Sequence, residues 1–204
     1  GYAGIQRCAT VWTGDNRSSW EHLRLSVPML LNLGLSGVAF AGVDIGGFMD
    51  NTRPELFTRW MQLGAFYPFM RNHCSIGQVA QEPWAFGEEW TPIIRHAMHR
   101  RYKLMPYLYQ LMRDAHETGV PVMRPMFWNQ ERVSDCQNAG DQFLFGDTVL
   151  VAPILEPSVR ARAVWLPKGH WYSVSDNRCL VGDQYVLATT GLEDIPIFLK
   201  AGAI

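Results

Sequence analysis

The chain has 204 residues, of which 48% are hydrophobic and 18% are charged, and its formal net charge is −1 at pH 7. This composition is typical of a globular protein with a sizeable core, and the near-zero charge gives no basis for binding nucleic acid or an anionic membrane surface. No apolar run approaches the ~18 residues that a membrane-spanning helix needs, so the sequence predicts no membrane span.

The first predicted element is a strand over residues 5–12, which ends at Trp12. Ser18 and Glu21 then match the capping-box pattern of a helix start. Beyond this point apolar residues recur at helical spacing, which predicts a helix to about Leu33.

Three further predicted strands alternate with helical segments. The strands cover residues 37–43, 66–70 and 120–128, and the helices between them begin near residue 54 and cover residues 92–118. The first of these strands is apolar throughout, which is typical of a strand covered on both faces. Because the connections are long enough to hold helices, the order β-α-β-α-β-α-β favours four parallel strands.

The pattern changes after residue 142. Short alternating runs are separated by turn sequences that contain glycine, and such runs predict an antiparallel β module. The runs cover residues 149–154, 161–166, 171–173, 184–187 and 195–199.

Polar side chains follow successive predicted strands at the point where each strand ends. They are Asp15, Asp44, and Arg71 with His73, and the aromatic residues Trp12, Phe48 and Trp84 lie near them in the sequence. Because the carboxyl ends of parallel strands converge on one face of a sheet, we expect these side chains to lie close together. Charged groups hydrogen-bond to sugar hydroxyls and aromatic faces cover sugar C–H surfaces, so the set suits a carbohydrate.

Asp15 has two interpretations when its own surroundings are considered alone. Trp12 lies three residues before it and offers an apolar face, and desolvation against such a face favours the protonated carboxyl that a general acid requires. In the alternative, Asp15 or Asn16 only caps the next helix.

Four motifs occur in order along the chain. They are Trp-Thr-Gly-Asp-Asn at 12–16, Gly-Val-Asp-Ile-Gly-Gly-Phe at 42–48, Phe-Met-Arg-Asn-His at 69–73 and Gln-Glu-Pro-Trp at 81–84. With these motifs the sequence resembles an α-glucosidase of glycoside hydrolase family 31 over nearly its whole length. The resemblance implies an α/β fold, namely the second half of an eight-stranded β/α barrel over residues 1–154, followed by the start of an antiparallel β-sandwich over residues 155–204.

The resemblance also implies a retaining mechanism that uses two carboxylates and no cofactor or metal. Asp15 falls on the position of the general acid/base. The positions that line the subsite of the released sugar correspond to Trp12, Asp44, Phe48, Arg71 and His73.

The nucleophile of this mechanism is expected outside the chain. The family carries it in a Trp-x-Asp-Met-Asn-Glu segment, which the sequence does not contain. The count of predicted parallel strands is also half of what a closed barrel needs. We therefore expect the chain to be the C-terminal part of a larger catalytic domain, inactive alone, with the remainder of that domain and a carbohydrate substrate as its partners.

Other functions stay open at this point. A non-catalytic carbohydrate-binding protein could retain Asp44, Arg71 and His73 on the same scaffold without the nucleophile. Within the family, α-xylosidases, transglycosylases and lyases share these motifs. A nucleotide-binding domain is disfavoured, because no glycine-rich loop with phosphate-binding spacing follows the first predicted strand.

Overall fold

Three short parallel strands and four helices form the first part of the fold. A computed structural model describes residues 2–129 and 139–202 of the chain. The elements of this part are β1 (Val11–Trp12), α1 (Trp20–Leu35), β2 (Ala41–Ile45), α2 (Pro54–Gly64), β3 (Phe69–Asn72), α3 (Thr91–Lys103) and α4 (Met105–Thr118). The strands pair in the order β1-β2-β3, and both pairings are parallel.

Helix α1 begins one residue later than the capping box predicts. The hydroxyl of Ser19 caps the helix by accepting a hydrogen bond from the His22 N–H at 3.2 Å. The hydroxyl of Ser18 instead donates to the Gly46 carbonyl at 2.6 Å. The predicted pairing of Ser18 with Glu21 is therefore wrong, because Ser18 is used to join α1 to the loop that follows β2.

The strands are shorter and lie later in the chain than predicted. Residues 5–7 form a 3-10 turn, which leaves only Val11–Trp12 extended. Helix α1 continues to Leu35, and the turn at Gly37, with φ +83°, delays β2 to residue 41. All five residues of β2 are buried, which confirms the prediction that this strand is covered on both faces.

The helical region predicted over residues 92–118 is divided next to Pro106, where the proline predicts a split or a bend. Helix α3 ends at Lys103 and α4 begins at Met105, next to Pro106, whose ring cannot continue the preceding helix. Gly119 ends α4 in the left-handed conformation, with φ +80°. None of the helices in the described residues is long and apolar enough to cross a membrane.

The fourth predicted parallel strand is wrong. Within residues 120–128 only β4 (Met123–Arg124) is extended, and it pairs antiparallel with β5 (Phe143–Phe145). Pro121 and Pro125 flank β4 and carry no N–H group for a longer ladder. The parallel part of the fold thus has three strands in the described residues.

The second part of the fold is antiparallel, as predicted. Its remaining strands are β6 (Val149–Val151), β7 (Ala161–Leu166), β8 (His170–Ser173), β9 (Cys179–Val181), β10 (Gln184–Thr189) and β11 (Ile197–Lys200). One sheet has the order β4-β5-β6-β11-β8-β9, and β10 pairs with β7. Strands from both sides of residue 154 share the larger sheet, and the division of the chain at that residue stays a prediction.

The two parts are joined by a buried arginine on α2. Arg59 is only 1% exposed. Its guanidinium donates to the Asp194 carbonyl at 2.8 Å, to the Gly191 carbonyl at 3.1 Å and to the Gln62 side-chain oxygen at 3.0 Å. Burial lowers the pKa of Arg59 to about 10, so the side chain is still charged at neutral pH. The loop before β11 is therefore held against α2 by charge-assisted hydrogen bonds.

We expect Arg59→Met to destabilise the complete protein by about 3 kcal/mol, because it leaves two carbonyls and an amide oxygen buried without their donors. A loss of this size lowers Tm by roughly 6–12 °C in a protein region of this length. Calorimetry of the variant measures this shift. The control is Arg113→Met on α4, where the ion pair to Glu117 is exposed and is worth less than ~1 kcal/mol. Equal shifts in both variants would contradict the role of Arg59.

Candidate active site

The predicted polar residues meet at the carboxyl end of the parallel sheet. Register pairs Asp44 on β2 with Arg71 on β3, so their side chains lie side by side. The Arg71 Nε donates to Asp44 Oδ1 at 2.8 Å, and Nη2 donates to the same oxygen. Asp44 and Arg71, which the sequence predicted as separate site residues, therefore form an ion pair across neighbouring strands.

The carboxylate of Asp44 is fully buried, with a side-chain exposure of 0%. Its second oxygen, Oδ2, has no hydrogen-bond partner among the described residues. Burial raises the pKa of Asp44 above its usual value, the hydrogen bond and charge of Arg71 oppose that shift, and the nearby charge of Asp15 adds to it. Oδ1 of this carboxylate is thus paired with Arg71, whereas Oδ2 has no hydrogen-bond donor among the described residues. The desolvation of Oδ2 is therefore not compensated by a hydrogen bond.

Arg71 lies between this buried acid and an aromatic face. The carbon of its guanidinium is 5.1 Å from the centroid of the Trp12 ring and 5.7 Å from that of the Phe69 ring. Its side chain is 30% exposed and Trp12 is 48% exposed, so both are open to a ligand. Contacts of a cation over a ring at such sites are worth about 0.5–1 kcal/mol and fix the plane of the guanidinium.

A second aromatic contact lies beside this pair. The rings of Phe48 and His73 are 5.3 Å apart between centroids and tilted by 36°. The Ser75 N–H donates to the Phe48 carbonyl at 2.9 Å, which ties the segment after β3 to the loop after β2. The exposed imidazole of His73 belongs to the same cluster through its contact with the Phe48 ring.

Asp15 lies at the rim of the cluster. Its side chain is exposed, so the predicted desolvation against Trp12 is not found. No hydrogen bond or ion pair holds its carboxyl within the described part of the chain. The hypothesis that Asp15 or Asn16 caps α1 is wrong, because Ser19 is the cap. Asp15 is instead a free carboxyl whose charge reaches the buried Asp44.

Two buried polar residues support the cluster and were not predicted as part of it. Asn16 bonds to the loop after β2 through its side chain. Gln81 donates to the Gly47 carbonyl at 3.0 Å, and its own carbonyl accepts from the Asn72 side chain at 2.6 Å. The Gln-Glu-Pro-Trp motif placed Gln81 near the site, but only the fold shows that it lies beneath the loop. Trp84 of the same motif is exposed.

The arrangement suits the recognition of hydroxyl groups and the transfer of a proton. Asp15 offers a solvent-exposed carboxyl, Arg71 and His73 offer donors, and Trp12 and Phe48 offer apolar faces. Across residues 2–129 and 139–202, no three His, Cys, Asp or Glu side chains are grouped as they are around a metal ion.

Family models match both parts of the chain. The model of the glycosyl hydrolases family 31 TIM-barrel domain matches residues 1–111, and that of the glycosyl hydrolase family 31 C-terminal domain matches residues 119–204. These matches confirm the predicted fold class, which is part of a β/α barrel followed by an antiparallel β-sandwich segment.

Individual relatives agree with the family models. Alpha-glucosidase 2 of Bacillus thermoamyloliquefaciens is 54% identical over 203 residues, which cover 100% of this chain and 26% of that protein. The Flavobacterium johnsoniae dextranase complexed with glucose superposes with a TM-score of 0.94 at 34% identity, over 99% of this chain and 26% of its own. An α-xylosidase from a soil metagenome, complexed with xylose, superposes with a TM-score of 0.88 at 35% identity, and the match covers 94% of this chain and 32% of the xylosidase chain. The chain thus spans about a quarter of the length of the Bacillus α-glucosidase, because the match covers 26% of that protein.

Proposed function

The chain belongs to glycoside hydrolase family 31, and we propose that it is part of a retaining glycosidase that releases terminal α-linked glucose, with Asp15 as general acid/base. The observation that carries this proposal is the exposed Asp15 carboxyl close to the ion pair of the buried Asp44 and the partly exposed Arg71. A mobile proton needs an accessible carboxyl, whereas recognition of a sugar needs fixed partners. The cluster contains both.

The proposed reaction has two steps. In the first, Asp15 protonates the glycosidic oxygen as the bond to the anomeric carbon breaks and a carboxylate nucleophile attacks that carbon. In the second, Asp15 withdraws a proton from water, which attacks the same carbon, breaks its bond to the nucleophile carboxylate and releases the sugar. The nucleophile comes from the remainder of the catalytic domain, because the chain lacks the Trp-x-Asp-Met-Asn-Glu segment.

The other five predicted residues hold the sugar. Arg71 and His73 donate hydrogen bonds to its hydroxyls, and the rings of Trp12 and Phe48 cover its C–H surfaces. Asp44 has a fully buried side chain and acts on the sugar through the Arg71 guanidinium, which it anchors.

We propose glucose as the sugar because the relative that is 54% identical to this chain is an α-glucosidase. The similar solved structures include a dextranase and an α-xylosidase, so sugars and linkages vary within this fold. Hydrolysis of an aryl α-xyloside in preference to the α-glucoside would place the enzyme with the xylosidases.

The complete enzyme is expected to release glucose first as the α-anomer from an aryl α-glucoside. Two successive displacements at the anomeric carbon restore the original configuration. Proton NMR during the first minutes of hydrolysis distinguishes the anomers before mutarotation mixes them. An initial β-anomer would overturn the retaining mechanism, and binding of the glucoside without turnover would favour the non-catalytic carbohydrate-binding protein.

A further inference from the structure

The loop that carries Asp15 is bonded along its length to the loop after β2. We use the name paired loops for residues 15–18 and residues 44–50, the second of which comprises the last two residues of β2 and the loop after it. The Asn16 side-chain amide donates to the Asp44 carbonyl at 3.0 Å, and its oxygen accepts from the Phe48 N–H at 2.9 Å. The Asn16 carbonyl also accepts from the N–H groups of Phe48 at 3.1 Å and Met49 at 2.8 Å. Asn16 thus contacts both ends of the segment that carries Asp44 and Phe48.

The surroundings of Asn16 and Asp15 are opposite. Asn16 is 6% exposed, and both polar atoms of its side chain are bonded. Asp15 is exposed and has no bonded partner in the residues that the structure describes. Since the carboxyl has no attachment of its own, the position of its backbone depends on the residue that follows it.

A second attachment joins the paired loops farther from Asp15. Ser18 donates through its N–H to the Met49 carbonyl at 2.9 Å and through its hydroxyl to the Gly46 carbonyl at 2.6 Å. Gly47 has φ +91°, and a Cβ there would lie 2.3 Å from the Ser18 nitrogen. The backbones are therefore in direct contact at this point, and Ser18 offers a bond of the same kind as that of Asn16, but without adjacency to the acid.

We propose that Asn16 is a positioning residue that sets the place of the Asp15 carboxyl relative to Asp44 and Arg71. This inference rests on the proposed function of Asp15. It goes beyond that function because it gives the buried side-chain amide of Asn16 the role of holding Asp15 in the geometry that proton transfer needs. Asn16 acts on the acid through the backbone, and its bonds to Asp44 and Phe48 link that acid to the groups that hold the sugar.

The experiment is a leaving-group series in the complete enzyme. We expect Asn16→Ala to lower kcat/KM by roughly 10²-fold on phenyl α-glucoside, the cost of a misplaced catalytic group. On dinitrophenyl α-glucoside the loss is expected to be only a few-fold, because that leaving group needs little protonation. The matched control Ser18→Ala removes the hydrogen bonds of the Ser18 hydroxyl to the carbonyls of Gly46 and Asp50, which join the same paired loops. We expect it to lower kcat/KM on both substrates by the same factor.

A merely structural role predicts a different result. Loss of folded enzyme lowers the rate by one factor for every substrate, so an equal loss on both glucosides would overturn the inference. A wild-type rate on phenyl α-glucoside would also overturn it. If thermal melting shows that Asn16→Ala is not folded, Asn16→Ser is measured in the same series. This variant retains one hydrogen-bonding group, and its results distinguish the same outcomes.

Asp15→Ala in this assay separates the inference from the proposal on which it rests. If Asp15→Ala has no leaving-group dependence, the role of Asp15 itself fails. If Asp15→Ala shows that dependence and the Asn16 variants do not, Asp15 keeps its role and only the positioning by Asn16 is wrong.

Discussion

Asp15→Ala is expected to lower kcat/KM of the complete enzyme on phenyl α-glucoside by about 10³-fold, within the range that general acid catalysis contributes. The side chain is exposed and has no bonded partner in the described residues, so its removal costs the fold little. A large kinetic loss with an almost unchanged Tm would therefore report on proton transfer.

The second step gives an independent readout of the same variant. Without Asp15 no group withdraws the proton from water, so hydrolysis of the glycosyl-enzyme slows as well. Azide needs no such base, and we expect it to restore turnover of dinitrophenyl α-glucoside and to give α-glucosyl azide as the product. Mass spectrometry and NMR identify that product.

A matched control uses the exposed Asp183 in the turn between β9 and β10, far along the chain from the cluster. Asp183 has φ +65°, a conformation that asparagine also tolerates. Asp183→Asn should leave the rate on phenyl α-glucoside near that of wild type, whereas Asp15→Asn should lower it sharply. Unchanged turnover of Asp15→Asn, or no azide product from Asp15→Ala, would remove Asp15 from the mechanism.

The sequence predicted the composition of the cluster because acids that follow apolar runs lie at the carboxyl ends of parallel strands, and these ends converge on one edge of the sheet. Asp15 and Asp44 follow such runs, and the ends of β1 and β2 do meet at one edge. The exact pairing of Asp44 with Arg71 depends on strand register. Register is set by contacts between segments that are far apart in the chain, and single-sequence periodicity does not contain it.

Strand direction at residues 123–124 was mispredicted for a related reason. An apolar segment after a helix suits a parallel strand or the first strand of an antiparallel sheet equally well. The direction of β4 within its sheet is determined by its pairing with Leu144 and Phe145 of β5, which come later in the chain. Likewise, a helix cap at Asp15 or Asn16 was one of two interpretations of the sequence, because both residue types are common at caps. Only the fold shows that the buried Asn16 side chain bonds to Asp44 and Phe48.

Asp44→Asn is expected to lower kcat/KM by at least 10²-fold, and by the same factor for phenyl and dinitrophenyl α-glucosides. The asparagine has nearly the size of the aspartate, but it removes the anion that holds Arg71 and replaces one acceptor oxygen by a donor. Without the carboxylate, the partly exposed Arg71 guanidinium loses the hydrogen bonds that orient it. Since Asp44 acts through Arg71 on the sugar that stays on the enzyme, the loss is expected not to depend on the leaving group.

The matched control is Asp141→Asn in the second part of the fold. Asp141 also pairs with an arginine, Arg162, but 55% of its side chain is exposed. We expect this variant to retain most of the activity on both glucosides. A loss that varies with the leaving group in Asp44→Asn would instead give Asp44 a part in proton transfer.

The pH dependence of stability gives a test of Asp44 that needs no substrate. Burial raises the pKa of Asp44 above 3.8, against the opposing effects of Arg71 and His73 and with a contribution from Asp15. A carboxyl whose pKa is raised by folding binds its proton more tightly in the folded state, so its contribution to stability is largest at low pH and is lost as the pH rises through the folded pKa. Asparagine does not titrate, so the stability of wild type relative to Asp44→Asn should fall as the pH is raised from 3.8 toward neutrality. Denaturant unfolding across that range measures the difference, and an increase with pH would mean that the ion pair with Arg71 outweighs the desolvation of the carboxylate.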